Sequence, residues 1–223
     1  MEEIQATIHT LAVGLPKELE YGNGQSMITA IEKRKVHEVY LAKQGFEGDD
    51  VADKKHHGGL DRAVCFYSAE HYAQWEREIG KPLPKAAFGE NLTVTNMLEA
   101  NVCIGDVFKI GDAVIQITQG RIPCSTINHY TESDRLLKRI VETGYTGFLA
   151  RVLKEGKISA TSKIELVERH PARLSVLHCN KVYNQNDDAI EMKRIQGVDA
   201  LAEDWKRKLG KRIQLLQSRE EQE

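Results

Sequence analysis

One of the four cysteines in this 223-residue sequence lies among polar residues that could make its sulfur reactive. Cys124 follows a proline that rigidifies the chain, and Arg121 lies three positions earlier. A nearby arginine favours the ionised thiolate, which can act as a nucleophile or bind a soft metal. The alternative is a small buried apolar side chain, which is what a lone cysteine usually is. Cys65 and Cys103 occur in apolar, strand-like context and Cys179 on an expected helix, so Cys124 is the strongest candidate.

A second candidate is the segment 52–62, which directly precedes an apolar run. Its lysines, histidines and arginine supply positive charge, and its glycines allow the backbone to approach a ligand, as in anion-binding loops. A solvated charged turn would have the same pattern. A metal site on the two adjacent histidines is less favoured, because neighbouring residues of a strand face opposite ways. The candidate contacts are Lys55, His56, His57, Gly58 and Arg62.

A third candidate is the pair Glu90 and Asn91, which precedes a short strand-like run. Their side chains could orient the ring or amide groups of a ligand. A capped turn is the alternative explanation. The turn over 45–49 is assigned no chemistry.

Composition restricts the classes of partner. With 41% hydrophobic and 29% charged residues and a net charge of −2, the chain is typical of a globular protein and predicts neither nucleic acid nor an anionic membrane as partner. The first residues are acidic, unlike a secretory signal, and no apolar run reaches the roughly 18 residues of a membrane span. No Cys-x-x-Cys pair occurs. We therefore expect a cytoplasmic protein with free thiols.

The elements that must position these residues are mostly strands as far as about residue 168. Short β-branched runs separated by Gly, Asn and Asp predict strands over 4–13, 36–41, 63–67, 107–110, 113–118, 147–153 and 163–167. Gly111 and Asp112 predict a tight hairpin between two of them.

Two helices are expected to interrupt the strands, over 69–79 and 134–142. The expected caps are Ser68 for the first helix and Ser133 or Asp134 for the second, with Gly80 and Gly144 at their ends. The second helix follows the Cys124 segment closely.

Beyond Pro171 the pattern changes to about three helices, over 175–183, 188–196 and 199–209, with Asp187 and Asp199 as plausible caps. We therefore expect a mainly β domain over residues 1–170 and a small helical domain over 171–223.

Three segments together resemble the YiiM-like MOSC-domain proteins in order and spacing: GFEGDDVADKKHHGGLDRAVCFYSAEHYAQW, FGENLT and IGDVFKIGDAVIQITQGRIPC. The likeness spans most of residues 40–150, and the helical tail is similar to the three-helix extension of that branch. It implies a MOSC-type β-barrel with peripheral helices. The family cysteine, which binds molybdenum or carries sulfur, falls on Cys124. The implied pocket contacts are His56, His57, Arg62, Glu90, Asn91 and Arg121.

One position departs from the family pattern, which commonly has Gln-Pro-Arg before the cysteine. Here the segment reads Gln119, Gly120, Arg121. Glycine loosens the entry to the loop but leaves Arg121 and Cys124 in place.

The resemblance implies a molybdenum cofactor, with Cys124 as ligand of the metal and basic residues around the phosphate and pterin oxygens. The implied reaction is reduction of N-hydroxylated compounds such as N-hydroxylated purine bases. No flavin or nicotinamide motif occurs, so we expect an external electron-donor reductase as partner, and a homodimer is a further expectation. Sulfur transfer through a Cys124 persulfide and a non-catalytic molybdopterin-binding module remain alternatives. A hydrolase using His56, His57 and Asp61 is the least favoured.

Overall fold

The computed structural model describes residues 5–185 and 188–220 of the chain. The strands are β1 (Thr7–Val13), β2 (Lys17–Tyr21), β3 (Gln25–Thr29), β4 (Arg34–Lys35), β5 (Glu38–Ala42), β6 (Gly45–Phe46), β7 (Val64–Ser68), β8 (Leu92–Thr95), β9 (Val107–Ile110), β10 (Ala113–Gly120), β11 (Phe148–Lys154), β12 (Gly156–Ser159) and β13 (Ile164–Glu168). The helices are α1 (Lys54–His57), α2 (Glu70–Ile79), α3 (Thr126–Thr131), α4 (Leu136–Thr143), α5 (Val176–Gln185), α6 (Ala189–Gln196) and α7 (Glu203–Glu220).

A curled eight-stranded sheet forms the body of the molecule, in the order β13-β9-β10-β11-β7-β8-β1-β4. Its neighbours pair antiparallel except β7 and β8, which are parallel. A bridge between Ala6 and Ile164 joins the start of β1 to β13 at the far edge. The sheet thereby curls around an apolar core, and the MOSC-type β-barrel with peripheral helices is confirmed.

All seven expected strands are present, with ends shifted by up to three residues within the described chain. The hairpin is confirmed by the antiparallel pairing of Ile110 with Ala113, and Gly111 in its turn has φ +58°, the left-handed conformation that glycine adopts readily. The sequence did not predict the β2–β3 hairpin. Its strands are mostly exposed, and two local signals could have predicted it: the polar-apolar alternation over residues 18–21 and the glycines of the turn, Gly22 and Gly24.

Both expected internal helices exist and end as predicted, but their expected caps are wrong. Gly80 and Gly144 close α2 and α4 in the left-handed conformation. Ser68 is buried and donates its hydroxyl to the carbonyl of Met97 (2.6 Å) instead of capping α2. Neither Ser133 nor Asp134 caps α4; the amide of its residue Leu137 donates to Oδ1 of Asn128 (2.9 Å). A side chain from the preceding helix has replaced the local cap.

The three expected tail helices are confirmed, but α7 begins four residues later and ends eleven residues later than predicted. Asp188 caps α6 by accepting from two backbone amides, whereas Asp187 lies outside the described residues. Asp199 does not cap α7, which begins at Glu203; its carboxylate accepts from Ala200 N (2.8 Å) and pairs with His170 (3.0 Å).

The tail shares its apolar core with the sheet. Trp205 is 1% exposed and stacks on Tyr183 with ring centroids 4.4 Å apart, within the same cluster as the sheet residues. Backbone bonds also cross the expected boundary, since Ala202 N donates to Thr118 O (3.1 Å) and Val176 N to Val102 O (2.8 Å). The domain division at residue 170 stays a prediction. Among the described helices, none combines the length and apolarity needed to span a bilayer.

Because the core is shared, we predict that Trp205→Ala destabilises sheet and tail together, by about 3–5 kcal/mol. Urea unfolding followed by far-UV circular dichroism, which reports on sheet and tail, and by the fluorescence of Trp75, which packs among residues before the tail, should show one transition at lower urea. Leu215→Ala is the control, since Leu215 lies on the same helix and is 63% exposed. An early transition confined to one probe would show instead that the tail unfolds on its own.

Candidate functional site

A cavity of about 760 Å³ opens beside Cys124. Seven of the residues singled out in the sequence line it: His56, His57, Gly58, Arg62, Asn91, Arg121 and Cys124. Lys55 and Glu90 are not among its lining residues. The thiol segment and the cationic segment, more than sixty positions apart in sequence, thus meet at one cavity.

The sheet brings these segments together through β10. The hydroxyl of Thr118 donates to the carbonyls of Asp61 (2.7 Å) and Leu149 (3.0 Å), which ties the segment before β7 to the end of β10. Arg121 N then donates to Gly147 O (3.0 Å), and the chain continues through Cys124 into α3. The thiol is partly exposed at this strand-to-helix turn.

The Cys124 thiol has an unusually low pKa of about 6. Burial by itself raises the pKa, but hydrogen bonds from the side chains of His57 and Thr126, the charge of Arg121 and the Thr126 backbone amide outweigh burial. The sulfur is therefore mainly thiolate at neutral pH.

The other three cysteines have the opposite character. Burial raises the pKa of Cys65, which also lines the cavity, and the pKa of Cys103. Burial likewise raises the pKa of Cys179 to about 12. Cys124 is thus the thiolate among the cysteines, as its sequence context predicts.

Two buried polar atoms of lining residues have no hydrogen-bond partner within the described part of the chain: Oε1 of Gln119 and Nη1 of Arg121. A buried polar atom left unpaired costs about 1–3 kcal/mol, so such atoms mark positions that a ligand can satisfy. Gln119 is a lining residue that the sequence pattern does not predict. The register of β10 against β11 shifts between Ile117 and Gln119, and this irregularity turns Gln119 away from simple strand alternation.

The cationic segment is a single helical turn, α1, rather than an open loop. Asp53 caps it, accepting from the amides of Lys55 and His56 at 3.1 Å. His56 Nδ1 also pairs with Asp53 (2.6 Å), whereas the side chain of His57 contributes to the low pKa of Cys124. A Cβ on Gly58 would lie 2.8 Å from Lys54 O, so the turn closes only with glycine there.

Arg62 is a lining residue that also connects two parts of the fold. Its Nη2 donates to Asp204 on α7 (2.6 Å), and its Nη1 donates to His56 O. The neighbouring Asp61 pairs with Arg151 (2.8 Å) and accepts from Glu203 N (3.0 Å). These partners occupy the carboxylate and give the hydrolase alternative no support.

Glu90 is placed differently from the expectation. It is fully buried, and its carboxylate accepts from Tyr72 Oη (2.6 Å) and Thr93 Oγ1 (2.7 Å). Through these hydrogen bonds Glu90 holds the segment before β8 in place, and it does not line the cavity.

Asn91 does line the cavity, but both ends of its amide are occupied. Its Oδ1 accepts from Cys65 N (3.1 Å), and its Nδ2 donates to Asp49 (2.8 Å). Asp49 in turn pairs with the nearly buried Lys33, and both line the cavity. The sequence pattern predicts only a turn at Asp49, whose partner Lys33 lies sixteen positions earlier in the chain.

A contact with the tail explains why residue 120 is glycine. A Cβ there would overlap Oδ1 of Asn180, a fully buried residue of α5. Asn180 donates through Nδ2 to Gly144 O and Thr146 Oγ1, both at 2.9 Å. Helix α5 thus fills the space that a proline ring would need at position 120, which explains why this chain has glycine where the family commonly has proline.

Among the described residues, no group of three or more His, Cys, Asp or Glu side chains is arranged to hold a metal ion.

Comparison with known proteins gives a consistent family. The family model described as MOSC domain matches residues 53–165. The chain is 41% identical over 208 residues to "Uncharacterized protein YflK" of Bacillus subtilis, covering 92% of this chain and 94% of that protein. The solved structure of YiiM from Geobacillus stearothermophilus superposes with a TM-score of 0.79 at 35% identity, covering 93% of this chain and 99% of that chain.

A third relative is longer. The chain is 38% identical over 159 residues to a protein of Gibberella moniliformis named "Reductase", covering 69% of this chain and 28% of that protein.

We predict that iodoacetamide alkylates Cys124 with a pH midpoint near its pKa of about 6, because the thiolate is the reacting form. Peptide mass spectrometry should find Cys65, Cys103 and Cys179 largely unmodified at pH 7, since burial raises their pKa values.

His57→Ala should move that midpoint upward by roughly one pH unit, because a hydrogen bond to the thiolate is lost. His56→Ala is the matched control and should leave the midpoint unchanged, since His56 pairs with Asp53 instead. Equal midpoints in the two variants would refute the assignment of His57.

Proposed function

This chain belongs to the MOSC-domain family, in its YiiM-like branch, and we propose that it is a molybdenum-cofactor-dependent oxidoreductase with Cys124 as protein ligand of the metal. The observation that carries the proposal is a thiolate opening onto a large cavity whose wall also holds an arginine and a glutamine with unsatisfied polar atoms. Thiolate is a preferred protein ligand for soft metals.

The lining residues fit such a cofactor. A volume of about 760 Å³ suits a ligand of organic-cofactor size. The free Oε1 of Gln119 can accept from a pterin N–H, and the free Nη1 of Arg121 can donate to a pterin or metal-bound oxygen. These two atoms are complementary to the mixed donors and acceptors of a pterin.

When bound, the cofactor would supply two-electron chemistry, in which an N–OH group takes up two electrons and two protons and is released as N–H and water. The chain's own residues prepare the site. His57 and Thr126 hold the sulfur ionised, and Arg121 adds positive charge beside it. The one-turn helix α1, fixed by Asp53 and Arg62, keeps His57 in position.

The proposed substrates are N-hydroxylated compounds such as N-hydroxylated purine bases, and the proposed electron donor is an external reductase. The fungal relative named "Reductase" supports a reductive role. A cytoplasmic location, a homodimeric state and the absence of nucleic-acid and membrane partners belong to the same proposal.

We predict that wild-type protein, expressed with molybdate and purified without oxygen, retains molybdenum and that Cys124→Ala retains little, as measured by elemental analysis. Cys65→Ala is the matched control, because Cys65 lines the same cavity but burial raises its pKa. Equal metal content in wild type and Cys124→Ala would contradict the proposed ligand.

The low pKa of Cys124 also favours a second candidate, sulfur transfer through a persulfide. Mass spectrometry of protein purified without reductant should distinguish the two. An adduct of roughly 32 Da on Cys124, one sulfur atom, with no molybdenum would support transfer. A non-catalytic binding module would instead retain molybdenum and show no substrate-dependent reoxidation.

A further inference from the structure

The charged residues that line the cavity are unevenly compensated. Lys33 pairs with Asp49, and Lys54 pairs with Asp50 (3.1 Å). His56 is held by Asp53. These pairs leave little net charge along one part of the wall. Arg121 is balanced by the Cys124 thiolate, so the positive charge in excess comes from the place where α7 meets the wall.

At that place three cations surround one carboxylate. Asp204, near the start of α7, accepts from Arg62 (2.6 Å) and Lys208 (2.8 Å) and also pairs with Arg207. Burial raises the pKa of Asp204, but hydrogen bonds from Lys208 and Arg207 outweigh it and lower the pKa, so the carboxylate stays charged. Positive charge nevertheless exceeds negative charge in this cluster.

Two of these cations, Arg62 and Lys208, line the cavity, and α7 contributes Lys208 to its wall. The side chain of Lys208 is 39% exposed, so its ammonium group is accessible to a ligand while Asp204 holds it. Arg62 is 11% exposed and rigidly held, since His56 O and Asp204 accept from its two terminal nitrogens. A mobile ammonium beside a fixed guanidinium is well suited to receive a phosphate group.

We infer that Lys208 and Arg62 form an anion subsite of this cavity that receives the phosphate group of the bound ligand, and that the helical tail is thereby part of the binding site. This inference rests on the proposed function in taking the phosphate to be that of the pterin cofactor. Cys124 and Arg121, on the segment after β10, receive the other end of the ligand. Through Lys208 the tail contributes directly to the wall of the cavity.

The inference is tested with inorganic phosphate as the probe, titrated calorimetrically into cofactor-free protein at low ionic strength. Lys208→Ala should weaken phosphate binding about fivefold, and Lys208→Arg should retain it. Lys211→Ala is the matched control, because Lys211 lies on α7, is exposed and does not line the cavity. Thermal unfolding of each variant verifies that the fold is intact.

Unchanged phosphate affinity in folded Lys208→Ala, or no phosphate binding by wild type, would overturn the subsite. Molybdenum-loaded wild type should no longer bind the probe, because the cofactor phosphate already fills the subsite. Undiminished binding to loaded protein would show that the subsite takes a different, free anion. Phosphate affinity of cofactor-free protein and metal retention by Cys124→Ala are separate measurements, so failure of the subsite and failure of the proposed function are distinguishable.

Discussion

The site depends on keeping a partly buried sulfur ionised. Burial alone favours the neutral thiol, so the thiolate of Cys124 exists only because His57, Thr126 and Arg121 together outweigh the loss of solvation. Each of these groups is positioned by a different part of the fold. His57 belongs to the one-turn helix α1, Thr126 begins α3, and Arg121 is fixed by Gly147 O after β10. The sheet serves mainly to bring these segments to one point.

Packing explains why the helical tail cannot be treated as an appendage. Asn180 on α5 occupies the space beside Gly120, directly before Arg121. Asp204 on α7 holds Arg62, which in turn holds the last turn of α1 through His56 O. Two tail helices therefore reach the thiolate's surroundings, one through each of the segments that line the cavity.

Much of this could be predicted from the sequence, for identifiable reasons. Strands with β-branched alternation, the Gly111 hairpin and the helix ends at Gly80 and Gly144 are set by local backbone preference, and these predictions are confirmed. The contrast between Cys124 and the other cysteines was also visible in their neighbours along the chain. The positions of the cations around Cys124 could not be predicted, because they depend on the helical turn α1. Asp53 caps this turn, and the sequence pattern predicts a loop there.

The features that could not be predicted from the sequence depend on contacts with residues far away along the chain. The sequence predicts Ser68 as a helix cap, but its hydroxyl donates to Met97 O. It predicts Glu90 as a ligand contact, but the carboxylate of Glu90 accepts from the hydroxyls of Tyr72 and Thr93. Gln119 lines the cavity at a register shift between two strands, and Lys208 lines it where α7 packs against the cavity wall. None of these contacts has a local signature.

X-ray absorption at the molybdenum edge can show whether the Cys124 sulfur binds the metal. Wild type and Cys124→Ser, both reconstituted with excess cofactor, can be compared for the number of sulfur atoms around molybdenum. We expect one sulfur neighbour fewer in the variant. Identical sulfur coordination in the two proteins would contradict it.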